Sequence, residues 1–306
     1  MRIAVIGAGG VGGYFGAKLA LAGNDVTFVA RGRHLEAIRR DGLRVDSDST
    51  PMHVREPKAT DAPESIGPVD AVMFCVKLWD VEAAAERIKP LVAGGGVAIP
   101  FQNGIEAPPT LMRILGRESV IGGSAQIASS IGSPGVIRHL GTLARVRVGA
   151  FDGVRADAAQ AFADACTAAG IEVAVTPDIR RTIWEKFVFL SALSGATCIT
   201  RQPVGVIRAD PVMREMFEAI LRETWAVGRA SGVALPDDCV EKQLAFADTL
   251  PYEMRASMLH DLNAGNRIEA PWLCGAVVRI GREVGVPTPV NATVYAALRP
   301  YVDGSK

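Results

Sequence analysis

Histidine and cysteine are scarce and dispersed in this chain. Its four histidines (His34, His53, His139, His260) and five cysteines (Cys75, Cys166, Cys198, Cys239, Cys274) include no C-x-x-C pair and no metal-ligand spacing. Neither a disulfide framework nor a bound metal is therefore expected. An excess of charge is also missing: 33 basic residues balance 33 acidic ones, which leaves no global field to draw nucleic acid or an anionic membrane. Long apolar runs are lacking as well. The longest uncharged helical stretch of interest, Phe187–Thr200, contains Ser, Gly and Thr and falls short of the roughly 20 residues that span a bilayer. Met1 leads straight into an apolar run, so no signal peptide is expected and the chain reads as cytoplasmic. Internal repeats, low-complexity tails and linkers are absent too.

Glycine, by contrast, is plentiful at 32 of 306 residues, and the placement of three of them carries information. Ile3-Ala-Val-Ile6 reads as a strand buried on both faces, and Gly7, Gly9 and Gly12 follow it as G-x-G-x-x-G. Gly7 permits the tight turn out of the strand, Gly9 admits a pyrophosphate close to backbone, and Gly12 lets the next helix lie on the sheet. That helix is expected over about Val11–Ala22, stopping at Gly23, with its amino end toward phosphates. A second strand, Asp25–Ala30, completes the βαβ unit that the fingerprint needs. The cofactor-binding set on this reading is Gly7, Gly9, Gly10, Val11 and Gly12.

The residue at the end of the second strand separates the two dinucleotides. An NAD site usually places Asp or Glu there to accept from the ribose hydroxyls; this chain has Arg31, whose guanidinium pairs with a 2′-phosphate. NADP(H) is favoured, the plainer alternative being a solvated loop charge. Ser47–Gly67 reads as irregular or edge strand. Further buried strands, Asp70–Val76 and Val97–Phe101, end at Lys77 and at Gln102-Asn103-Gly104, flanking a helix over Val81–Leu91. Both exits fall at the carboxyl edge where open α/β sheets bind ligands. Lys77 and Asn103 are candidates there, although capping the next helix is an equal use for either.

Shorter strands follow (Val120–Ile121, Gln126–Ser130, Val136–His139, Arg145–Val148) and read as antiparallel additions to the sheet. A helix over Arg155–Ala169 and a strand over Glu172–Val175 close the first domain. Thr176-Pro177 reads as N-cap and first residue of a helix, and Thr288-Pro289 repeats the pattern. Helices are expected near Pro211–Ser231, Asp237–Leu250, Ser257–Ala264 and Trp272–Val284. The expected fold is α/β, a Rossmann-type dinucleotide-binding domain over 1–176 followed by an all-helical domain over 177–306. In Trp184-Glu-Lys-Phe-Val-Phe-Leu-Ser-Ala-Leu-Ser194, helical spacing sets Lys186 in one stripe with Leu190, Leu193 and Ser194. A lysine at the mouth of an uncharged run is partly desolvated and can act as a proton donor. Equally, its stem can lie on apolar surface with the ammonium in water.

Gly7-Ala-Gly-Gly-Val-Gly12, Arg31, Val76-Lys77, Gln102-Asn103-Gly104, Trp184-Glu-Lys186, Ser257-Met-Leu-His-Asp261 and Glu269 occur in this order. Together they resemble the ketopantoate reductase (2-dehydropantoate 2-reductase) family across almost the whole chain. The resemblance implies an NADP-dependent oxidoreductase that reduces 2-dehydropantoate to (R)-pantoate, a step of pantothenate biosynthesis. It implies Lys186 as general acid and Glu269 as its acidic helper, the catalytic pair. Substrate would be held by Asn103, Lys186, Ser257 and Glu269, with Asn103 also near the nicotinamide. Taken alone, Ser257 reads as a cap or surface hydroxyl and Glu269 as a solvated helix charge. Many family members carry asparagines four and eight residues after the lysine, where this chain has Leu190 and Ser194, so its substrate is expected to be less polar or bulkier there.

The expected partners are a small 2-keto acid bound between the domains, with closure excluding water, and a second copy of the chain in a homodimer. Two alternatives stay open: a related NADP-dependent hydroxyacid dehydrogenase with another substrate, and a non-catalytic NADP-sensing protein.

Overall fold

The computed structural model describes residues 1–304 and divides into two compact units. One comprises Met1–Gln102 and Glu106–Thr182, the other Asn103–Ile105 and Ile183–Lys306. In the first, Arg2–Ile6 (β1), Gly10–Leu21 (α1) and Asp25–Val29 (β2) form the βαβ unit. The chain continues through Gly32–Asp41 (α2), Leu43–Ser47 (β3), Met52–Val54 (β4), Lys58–Thr60 (β5) and Ala71–Phe74 (β6). Then come Val81–Arg87 (α3), Lys89–Val92 (α4), Val97–Pro100 (β7) and Ala107–Leu115 (α5). A parallel sheet of order β5-β2-β1-β6-β7 results. Its register sets Ile3 between Val26 and Ala71, and Ile6 between Val29 and Phe74. Ile3, Ala4 and Val5 are fully buried, as a strand covered by helices on both faces requires. The chain order reverses across β1, with β2 on one side and β6 on the other, so the crevice at the carboxyl ends of β1 and β6 is the switch point where such sheets take ligands.

The expected antiparallel additions instead form a separate mixed sheet. Gly122–Ser133 (β8) and Val136–Gly149 (β9) are two long strands joined at Pro134-Gly135, where Gly135 has a φ of 79°. Proline followed by a positive-φ glycine closes the hairpin. β9 pairs antiparallel with β8, and parallel with β3 and with Glu172–Val175 (β10), which follows helix Ala156–Ala168 (α6). Register shifts at Ile127/Ser129 and Ile131/Ser133 interrupt the alternation, which is why the sequence breaks the hairpin into short pieces. Val120 makes only a bridge to Ala98, and part of the Ser47–Gly67 region forms β4 and the edge strand β5.

Helix Ile179–Thr200 (α7) does not start at Thr176-Pro177. The Asp178 carboxylate accepts from Arg181 N at 2.9 Å, the bond that an N-cap residue makes to the third helical amide. The helical unit continues through Val204–Ala209 (α8), which periodicity did not reveal, Pro211–Ala230 (α9), Cys239–Thr249 (α10) and Ser257–Asn263 (α11). Cys274–Val284 (α12) follows a separate 3-10 turn at Ala270–Trp272, and Pro289–Leu298 (α13) comes last. Thr288 precedes α13 without capping it; the Glu223 carboxylate accepts from Val290 N and Asn291 N at 2.8 and 2.9 Å instead. Phe187, Val188, Ala192 and Ala196 of α7 enter one apolar core with Ile220, Leu221 and Val227 of α9 and Val277 of α12. Among the described residues, no helix is long and apolar enough to cross a membrane.

Candidate active site

β1 ends at Ile6, and the chain turns at Gly7 with a φ of 98°. A Cβ at Gly7 would lie 2.8 Å from Cys75 O, so the turn packs bare against the exit of β6. Cβ atoms at Gly12 and Gly10 would overlap the carbonyls of Gly7 and Ser129. At Gly9, by contrast, nothing lies within 4 Å of the place a Cβ would take. The loop is thus packed tight on its protein side and open at the residue that precedes α1. α1 has no side-chain cap and no acidic residue in its first turn, so its leading amides and dipole can serve an anion. Val11, half-buried, lies in that first turn. This cradle fits a dinucleotide pyrophosphate.

A residue with no signal in the sequence supports it. His34 bonds through Nε2 to Ala8 O at 2.8 Å, while its Nδ1 accepts from Gly135 N at 3.0 Å. One imidazole therefore ties the glycine loop to the β8–β9 turn, with His34 and Gly135 standing 101 positions apart, which is why spacing could not show it. Arg31 is exposed at the end of β2, and its guanidinium stands 3.9 Å from Asp80. Such a long, exposed pair contributes little, leaving the group able to meet a phosphate. Lys77 is exposed at the exit of β6, with its ammonium 5.6 Å from the Trp79 ring.

The other candidates belong to the helical unit. Lys186 and Leu190 are half-buried, one turn apart on α7, whereas Ser194 in the next turn is buried. Burial lowers the pKa of Lys186 to about 8, and Glu269 opposes the shift through its charge. Glu269 is buried, at 8% exposure, where the 3-10 turn before α12 begins. It is therefore not the solvated helix charge that the residue reads as when taken alone. Asn103 groups with the helical unit, and Ile105 of the same short segment packs on its core. Ser257 is exposed in the first turn of α11. A half-buried ammonium of lowered pKa beside a buried carboxylate is suited to hold an oxygen and give it a proton near neutral pH. Among the described residues, no group of three or more His, Cys, Asp or Glu is placed to hold a metal ion.

A parallel sheet with a glycine cradle, followed by a helical unit holding a half-buried lysine with a buried glutamate, defines an oxidoreductase of the dinucleotide-binding, two-unit class. Family models sharpen this: "Ketopantoate reductase PanE/ApbA" matches residues 3–153, and its C-terminal counterpart matches residues 178–302. The chain belongs to the ketopantoate reductase family. It is 31% identical over 301 residues to the Bacillus subtilis (strain 168) "Uncharacterized oxidoreductase YkpB", covering 98% of this chain and 99% of that one. It is also 31% identical to a 2-dehydropantoate 2-reductase of Mesorhizobium japonicum, covering 98% and 97%. The crystal structure of a 2-dehydropantoate 2-reductase from Geobacter metallireducens GS-15 superposes with a TM-score of 0.91 at 33% identity, covering 98% and 99%.

Proposed function

We propose that the protein reduces a 2-keto acid to a 2-hydroxy acid with NADPH, Lys186 serving as general acid. The arrangement that carries this is Lys186, half-buried on α7, under the charge of the buried Glu269. Gly7, Gly9, Gly10, Val11 and Gly12 would hold the pyrophosphate, Arg31 the 2′-phosphate, Lys77 a further part of the dinucleotide, and Asn103 the nicotinamide end. When bound, NADPH supplies the hydride from C4 of its nicotinamide. Lys186 then donates a hydrogen bond to the ketone oxygen and a proton as negative charge develops there. Glu269 keeps Lys186 oriented and charged, and Ser257 and Asn103 position the rest of the substrate.

The names of the relatives make 2-dehydropantoate, giving (R)-pantoate, the first substrate to test. Leu190 favours a second reading. An apolar side chain one turn from the acid offers no partner to a substrate hydroxyl, and an unpaired buried hydroxyl costs about 1–3 kcal/mol. A keto acid with an apolar substituent suits that wall better.

NADPH oxidation against 2-dehydropantoate and a panel of 2-keto acids tests both readings, with wild type beside Lys186→Ala. Lys186→Ala should slow turnover by roughly 10²–10⁴-fold; equal rates in the two proteins remove the assignment of the acid. Dinucleotide binding with no turnover on any keto acid would point to a non-catalytic NADP sensor instead.

A further inference from the structure

Gln102 ends the first stretch of the parallel-sheet unit, just past β7, and its side chain folds back onto the neighbouring strand. Its Nε2 donates to Phe74 O at 3.0 Å and to Val76 O at 3.1 Å. Both amide hydrogens are thereby engaged. Rotating the amide by half a turn would set its oxygen against those two carbonyl oxygens, so the fold itself decides which atom points where. The oxygen, Oε1, is buried and accepts from no group among the described residues. Buried amide oxygens are normally paired, and this one is held rigid at a particular place. Val76 and Cys75 are also the residues on which the bare turn at Gly7 packs, within 3.0 Å of a would-be Cβ. The unpaired acceptor therefore sits at the switch point between β1 and β6, beside the phosphate cradle.

We infer that Gln102 Oε1 accepts a hydrogen bond from the carboxamide N–H of the nicotinamide ring, making Gln102 a cofactor-binding residue. The inference rests on the dinucleotide reading above and extends it. Pyrophosphate oxygens only accept, so an amide oxygen is no partner for them. Arg31, which suits the 2′-phosphate, is on the β2 side of β1, whereas Gln102 is on the β6–β7 side, which assigns it to the other half of the dinucleotide. In that half the donors are the ribose hydroxyls and the carboxamide. A planar, fixed amide oxygen best matches the planar carboxamide, whose orientation decides which face of the ring is turned to the substrate.

The test compares dissociation constants, by quenching of intrinsic fluorescence, for three ligands. These are NADP+, its 3-acetylpyridine analogue, in which a methyl replaces the carboxamide nitrogen, and adenosine 2′,5′-bisphosphate, which lacks the nicotinamide half. Wild type should bind NADP+ roughly three- to tenfold more tightly than the analogue, the worth of one hydrogen bond. In Gln102→Met the two should bind alike, with adenosine 2′,5′-bisphosphate unchanged as the check on folding. Gln102→Lys keeps donors for Phe74 O and Val76 O while removing the acceptor, and should give the same equality if the methionine variant fails to fold. A preference of the same size in wild type and variants overturns the inference, as does no preference in wild type, the result expected if a ribose hydroxyl were the donor. Failure of all three ligands to bind wild type overturns the dinucleotide reading itself.

Discussion

Glu269 is the charge that sustains protonation of Lys186 against the desolvation around it. The carboxylate is buried at the start of a 3-10 turn and the ammonium is half-buried on α7, so their attraction is little screened. The sign of the pH response follows from this. Lys186 is the acid only while protonated, and its pKa is about 8. Reductase kcat/KM should be flat below that value and fall as pH rises through it. Glu269→Gln removes the influence that raises the pKa, so the fall should move to lower pH. A pH–rate profile of both proteins checks this; coincident profiles would separate Glu269 from the acid.

The same pair bears on stability. Lys186 has its pKa lowered from 10.5 to about 8 on folding, so between those values the unfolded chain binds more protons and stability should rise with pH. Below about pH 8 the full cost of burying the charged ammonium is present. Urea titrations of wild type and Lys186→Met at pH 7 and pH 10 should differ less at the higher pH, an effect that no difference between the two would refute.

Arg31 tests the choice of dinucleotide. Arg31→Ala should weaken NADPH by roughly 10–100-fold, the range for a hydrogen bond to a charged group, and leave NADH nearly unchanged. Added salt should narrow the wild-type preference for NADPH, because the contact is exposed. Equal loss for both cofactors would make Arg31 a structural residue.

Leu190 tests the substrate. Leu190→Asn should raise kcat/KM for a hydroxylated keto acid relative to an apolar one by roughly 5–100-fold, the effect of pairing one buried hydroxyl. Steady-state kinetics on matched substrates measure it, and an unchanged ratio places Leu190 away from the substrate.

His34 tests the support of the cradle. His34→Leu breaks the bonds to Ala8 O and Gly135 N. It should lower unfolding free energy by about 1–3 kcal/mol and weaken dinucleotide binding several-fold, as chemical denaturation and fluorescence titration would show.

The sequence by itself determined the glycine cradle, the parallel sheet around β1, the helical second half and the family. Each is written in neighbouring residues: alternation and apolar runs report local burial, and a glycine triplet reports a turn whose geometry admits no Cβ. Only the tertiary structure decided the long β8–β9 hairpin as a sheet of its own, the caps supplied by Asp178 and Glu223, the clamp of His34 and the fixed amide of Gln102. It alone placed Glu269, a charge that spacing reads as solvated, in a buried position against Lys186. Apart from the Asp178 cap, which bonds Arg181 three residues on, these features are contacts between residues far apart along the chain, and a one-dimensional pattern records what each residue is without recording which others it meets. Burial and partner identity set a pKa and strand an acceptor, so the chemistry of the site becomes legible only once the chain has folded.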